Sequence, residues 1–250
     1  QLLQWNPHWQ CFGNETCRRG VLGLLESRLS AHDVDFANIV ELNTTWSPPA
    51  PWKAMSTFCG YYDADCVDQV MLIYNSHRWG PSAGAGARAA GCIQELPGPS
   101  RPYIVQHFKE VSGGEELVVV GAHYSHCDSI GSLQSATTGV MEATHTNQVV
   151  LIADTNRYSR GFNQVGDQLC NDMRTFAPAC GVPCAPASVC NTSAELLVQL
   201  VGSEHSNQVL STDLGLSCCN SWVGFRFPFD RVIANFGLTM ATAMLDDPTP

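Results

Sequence analysis

Two apolar runs decide the architecture: LVVVGAH at residues 117–123 and VVLIADTN at residues 149–156. Both are rich in β-branched side chains and too short for a buried helix, so each reads as a buried strand. Both finish on residues able to handle a proton or a cation, His123 in the first and Asp154 with Asn156 in the second. A residue at the end of a buried strand is held rigidly while its tip reaches solvent, which is where a reactive group can be preorganised.

Working outward, the same pattern recurs. FDRVIA (229–234) is a strand opened by Asp230, and the run 33–43 is a short link and a strand ending at Glu41. QLLQWNPHW (1–9) reads as a strand with a polar, aromatic tip and Asn6 after the apolar part. VMLIY (70–74) and PYIVQHF (102–108) complete the strand set, with a Gly-Gly turn at 113–114 before LVVVGAH. Val21, Leu22, Leu24, Leu25 and Leu29 recur at helical spacing and predict a helix over 18–31. Helices are also expected at 130–146 and 194–201. TTWSPPAPW (44–52) is a loop, because proline cannot continue a strand ladder, and PSAGAGARAAG (81–91) reads as a flexible excursion. Many short strands with few helices predict sheets packed on each other with helices outside.

The 250 residues carry 13 Lys and Arg against 23 Asp and Glu, a formal charge of -10. A protein that coats nucleic acid by neutralising phosphates is basic, so that class is excluded. An enzyme that brings a divalent cation to a phosphate is not. No apolar run approaches the roughly 18 residues of a membrane span. The chain starts at Gln1 with no basic-then-apolar leader, so a mature, processed or fragment N-terminus is expected.

Twelve cysteines and three sequons, at Asn14, Asn43 and Asn191, predict a secreted, disulfide-bonded glycoprotein. Cys11 with Cys17, and Cys59 with Cys66, are spaced to close local loops, and 170–190 reads as a Cys-rich insertion in a single domain spanning 1–250. Spacing alone leaves the connectivity open. Zinc is the rival use of cysteine, but no paired Cys/His knuckle spacing occurs. His8, His32, His77, His107, His145 and His205 read as surface or internally satisfied residues, and the tryptophans as packing residues.

The order Asn6, Glu41, His123, Asp154-Thr155-Asn156, Asp230-Arg231 resembles the endonuclease/exonuclease/phosphatase family, the group that contains deoxyribonuclease I. The resemblance covers roughly residues 1–235. It implies an α+β fold, a four-layer αββα sandwich of two mainly antiparallel sheets with the active site at one edge. By the same resemblance, Glu41 with Asn6 would hold Mg²⁺, Mn²⁺ or Ca²⁺. His123, oriented by Asp230, would contact the scissile phosphate. Asp154 would activate water, and Asn156 would bind a phosphate oxygen. The implied substrate is a phosphodiester, DNA or a lipid headgroup.

The family pattern closes on Ser-Asp-His in a further strand, and none follows Asp230 before Pro250. Three explanations stay open: a chain cut short, a partner chain covering the sheet edge, or an inactive structural or adhesion module. A glycan on Asn43, two residues after Glu41, would crowd the metal site if the strand continues that far.

Overall fold

A computed structural model describes residues 1–7, 15–42, 44–60, 67–94, 100–125, 130–157, 191–206, 210–211, 218–220, 225–227 and 229–237. The elements are β1 (Leu2–Trp5), α1 (Glu15–His32), β2 (Phe36–Val40), β3 (Trp52–Gly60), β4 (Val67–Asn75), β5 (Trp79–Pro81) and β6 (Arg88–Ile93). They continue with β7 (Arg101–Glu110), β8 (Glu116–His123), α2 (Gly131–Thr144), β9 (Val149–Asp154), α3 (Ser193–Val201), β10 (Leu210–Ser211), β11 (Cys218–Asn220), β12 (Phe225–Phe227) and β13 (Asp230–Ala234).

The first sheet runs β1-β2-β4-β3, and the second runs β10-β13-β9-β8-β7-β5 with β6 also on β7. Only β1 with β2 and β8 with β9 are parallel within these two sheets, so both are mainly antiparallel. The two-residue period of a strand then sorts side chains into layers. Leu25 and Leu29 of α1 pack on Ala37, Ile39, Met71 and Ile73, the outer face of the first sheet. Phe36, Val40, Val70 and Leu72 meet Ile104, Phe108, Val119, Ile152 and Val232 between the sheets. Val105, Val118, Val120, Leu151 and Ile233 face Leu133, Val140 and Met141 of α2 and Leu196, Leu197 and Leu200 of α3. The order helix, sheet, sheet, helix is the expected αββα sandwich. Strands buried on both faces explain why LVVVGA and VVLIA read as unbroken apolar runs.

Two expectations need correcting. The stretch 81–91 is not an excursion: it closes β5, turns, and returns as β6, paired along β7 from Arg88 opposite Gln106 to Ile93 opposite Arg101. Cys59 is bonded to Cys92 rather than Cys66, which ties β3 of one sheet to β6 of the other. A bridge across 33 residues stabilises by about 3–4 kcal/mol on chain-entropy grounds. The Cys-rich stretch 170–190, Asn14, Asn43 and the chain after residue 237 lie outside the described residues. Among the described residues no helix is long and apolar enough to cross a membrane.

Candidate active site

The inner-face rows that form the core between the sheets end in polar residues at one rim. Alternation along β1 places Gln4 and then Asn6 after Leu2. Along β4, Asp68 precedes Val70, Leu72 and Tyr74, and along β8, His123 follows Leu117 and Val119. Asp154 follows Val150 and Ile152, while Asp230 precedes Val232 and Ala234. His123 stands directly opposite Asp154, and Asp154 opposite Asp230, so three adjacent strands present one polar row.

Glu41 joins this row by a different route. Alternation would send it with Ile39 to the helix face. β2 instead ends at Val40, and Glu41 takes a left-handed conformation with φ 55°. Such a conformation is uncommon for a non-glycine residue and costs about 1–3 kcal/mol. Its N–H is held by the Gln69 carbonyl at 3.1 Å, which fixes the turn.

His123 is buried and sits among three carboxylates. Nδ1 lies 2.8 Å from Asp68 Oδ2, and Nε2 lies 3.7 Å from Glu41 Oε1 and 4.0 Å from Asp154 Oδ2. Arg101 Nη1 lies between Asp68 at 3.2 Å and Glu41 at 3.4 Å. Burial opposes ionisation of Asp68, but the His123 and Arg101 charges and their hydrogen bonds outweigh it and hold the carboxyl below its usual range. Burial likewise disfavours imidazolium, yet Asp68, helped by Glu41, overcomes both it and the repulsion from Arg101, and the His123 pKa is raised. The ring therefore keeps its proton into higher pH than an ordinary histidine.

This fixes the sign of a pH effect. A raised folded pKa stabilises fully below the unfolded value, about 6.5, and that contribution is lost as pH rises through the folded pKa. Urea unfolding at stepped pH is expected to show wild-type stability falling above about pH 6.5. His123→Gln should lack that fall; an equal fall in the variant would refute the assignment.

Asp154 is clamped on both oxygens. Oδ1 accepts the Asn156 N–H at 3.0 Å, and Oδ2 accepts Asn6 Nδ2 at 2.7 Å. Asn156, also left-handed at φ 45°, donates from Nδ2 to the Tyr124 carbonyl at 2.8 Å. Two buried arginines brace the chain behind it. Arg157 donates to the Ser125 carbonyl, and Arg231 donates to the Arg157 and Asn191 carbonyls, each at 2.8 Å.

Asp230 does not orient His123 as the sequence reading expects. The two stand on strands separated by β9, about 10 Å apart at ordinary sheet spacing. The carboxylate on Nδ1 belongs to Asp68. Asp230 instead accepts from Gln4 Nε2 at 3.0 Å, and Gln4 Oε1 accepts from Asn38 Nδ2 at 2.8 Å. Asn38 also donates to the Ala122 carbonyl at 3.3 Å, next to Gly121. Gly121 makes room for this relay: a Cβ there would sit 2.7 Å from Asn38 Oδ1. Gly121→Ala is expected to cost about 1–3 kcal/mol in urea melts, as overpacking does. A neutral result would show that Asn38 is free to move.

Asp68 and Arg101 are the site residues missing from the sequence reading. Among the described residues, Glu41, Asp68 and Asp154 then surround His123, Arg101 lies between Glu41 and Asp68, and Asp230 continues the row beyond Asp154. Asp68 Oδ1 is buried without a hydrogen-bond partner, a surplus of acceptor capacity. Among the described residues no three His, Cys, Asp or Glu side chains form a metal cage. The donors instead fit the sparse set that suits Mg²⁺, one or two carboxylates with water completing the shell. Glu41 would supply the carboxylate, and Asn6 donates its amide nitrogen to Asp154 at 2.7 Å beside it in the same row.

No known family model and no curated protein matches the sequence. Among solved structures the chain is similar to Danio rerio TDP2 complexed with single-strand DNA product, with 12% identity, 96% of this chain and 85% of that chain covered, and a TM-score of 0.47. It is also similar to the human Nocturnin catalytic domain with bound sulfate, with 13% identity, 68% of each chain covered and a TM-score of 0.45. A Bacteroides thetaiotaomicron mannosyl-6-phosphatase aligns at 12% identity over 69% of each chain, with a TM-score of 0.46. An endonuclease/exonuclease/phosphatase from Bacteroides vulgatus aligns at 12% identity over 62% of this chain and 64% of that chain, with a TM-score of 0.40.

Proposed function

We propose that this chain is a metal-dependent phosphoesterase with the endonuclease/exonuclease/phosphatase architecture, working at the rim where the two sheets open. The observation that carries the reading is His123: one nitrogen is held by Asp68, while the other faces Glu41 and Asp154 across the polar row.

A phosphodiester is anionic, and its transition state gathers more charge on oxygen, so donors must already be in place. A divalent cation held by Glu41 and Asn6 would neutralise phosphate oxygens and lower the pKa of bound water. Asp68 keeps His123 protonated and presents Nε2–H as a donor to the phosphate. Asp154, pinned by Asn6 and Asn156, accepts a proton from the attacking water. The second Nδ2 hydrogen of Asn156 suits a phosphate oxygen, because the first is committed to Tyr124. Arg101 stands between Glu41 and Asp68 and offsets the repulsion between the two buried carboxylates.

Secretion belongs to the same proposal. The Cys59–Cys92 bridge and the sequons fit an oxidising compartment, with glycans on Asn14 and Asn43; the expected glycan on Asn191 does not fit, because that side chain is buried. The substrates to try are DNA, a choline-phosphate lipid headgroup and bis-p-nitrophenyl phosphate, each with Mg²⁺, Mn²⁺, Ca²⁺ or EDTA. Turnover that needs a divalent ion supports the proposal. Folded, full-length protein inert on all three would leave the sandwich as an inactive binding module.

A further inference from the structure

A buried imidazole away from the rim is unused by the phosphate chemistry. His107 lies on β7 beside the opposite end of β8 from His123; Glu116 and His123 open and close that eight-residue strand, about 23 Å apart. His107 Nδ1 is 2.8 Å from Ser82 Oγ. Nε2 is 2.9 Å from Thr146 Oγ1 and 3.2 Å from the Glu116 carboxylate.

The neighbours settle the tautomer. Burial lowers the His107 pKa despite the opposing pull of Glu116, so the ring is neutral near pH 7 and carries one hydrogen. An ionised carboxylate only accepts, so that hydrogen is on Nε2. Thr146 passes its own hydroxyl hydrogen on to the Thr144 carbonyl at 3.3 Å. Nδ1 is therefore a bare acceptor, and Ser82 must donate to it. Half-buried Ser82 lines a surface cavity of about 550 Å³, walled by Pro81, Ala83, Gly84, Ala85 and Lys109.

We propose that Ser82, His107 and Glu116 form a second site for acyl transfer, acting on esters with a small uncharged acyl group. The assignment is independent of the phosphoester reading. Ser82 Oγ bonds to the ester carbonyl carbon as its proton passes to His107 Nδ1. The carbon–alkoxy bond then breaks, and the alcohol leaves with that proton. Water repeats the sequence on the acyl-serine, releasing the carboxylic acid and restoring Ser82. Glu116 and Thr146 hold the ring so that Nδ1 faces the serine throughout. The alanine and glycine walls leave space for a short acyl chain, and the Lys109 ammonium on the wall is already paired with Glu116 at 2.6 Å, which leaves the pocket best suited to an uncharged one.

The same contacts could do no more than staple the 82–87 segment to β7, since Ser82 N–H also donates to the His107 carbonyl and Gln106 Nε2 to the Ser82 carbonyl. Reactivity separates the two roles. Full-length protein is treated with a fluorophosphonate probe, the adduct is mapped by mass spectrometry, and p-nitrophenyl acetate hydrolysis is followed in parallel. The expected adduct is on Ser82. Hydrolysis should fall about a hundredfold in Ser82→Ala, fall at least tenfold in Glu116→Gln, and stay at the wild-type rate in His205→Ala. Both test positions reach the surface, so folding should survive and circular dichroism checks it. An unlabelled Ser82 in folded protein overturns the assignment, as does equal hydrolysis by Ser82→Ala.

Discussion

His123→Ala is expected to lower phosphodiester turnover by about 10²–10⁴-fold, the usual share of a positioned acid or base. Asp68→Asn keeps the shape but removes the charge that holds the ring protonated, so its loss should be of similar order. The two act as one unit, joined at 2.8 Å. The double variant should then be little worse than either single one, because groups working as a unit are far from additive. Initial rates with bis-p-nitrophenyl phosphate and saturating metal measure this. Losses that multiply would mean that the residues act independently and would break the assignment of Asp68 as the partner of His123.

The second large effect falls on stability. Asp68 is buried between a guanidinium and an imidazole. Asp68→Ala leaves both buried without their shared carboxylate, and breaking a buried pair in this way costs about 3–5 kcal/mol. For a chain of this size each kcal/mol moves Tm by about 2–4 °C, so a fall of roughly 6–20 °C is expected. Asp68→Asn retains hydrogen-bonding capacity and should lose less. Calorimetry at pH 7 distinguishes the two, and a Tm unchanged in Asp68→Ala would show that Glu41 alone balances the charge. The sign with pH also follows. The Asp68 pKa is depressed on folding, so its contribution is present above about pH 3.9 and lost as pH falls through the folded value.

The strands that carry His123, Asp154 and Asp230 were legible because both of their faces are buried, which turns the code into plain β-branched runs. β3 was not: WKAMSTFCG follows a proline-rich loop and leaves most of its side chains at least partly exposed, so no apolar alternation marks it. β6 hides for another reason. RAAGCI is alanine and glycine, poor strand formers, and it is organised only by its pairing with β7.

Asp68 was missed because aspartate is rare in strands and the apolar run begins two residues later. Its signal was parity: counting back from Leu72 and Val70 places an acid on the inner face, where a solvated role is impossible. Parity misleads at Glu41, where a positive φ breaks the alternation, and no sequence pattern announces that turn. Pairing His123 with Asp230 failed because strand order, unlike strand identity, comes from tertiary packing; β9 stands between them. The expectation for Cys59 failed the same way, since Cys92 is near only once the two sheets are stacked.

The most direct test of the rim site is to locate a cation there. Crystals grown with Mn²⁺ and inorganic phosphate, measured at the manganese absorption edge, should show one anomalous peak in coordination contact with the Glu41 carboxylate and the Asn6 amide oxygen, with phosphate between it and His123. The peak should vanish in Glu41→Gln. Manganese bound elsewhere, or bound unchanged in that variant, would contradict the account.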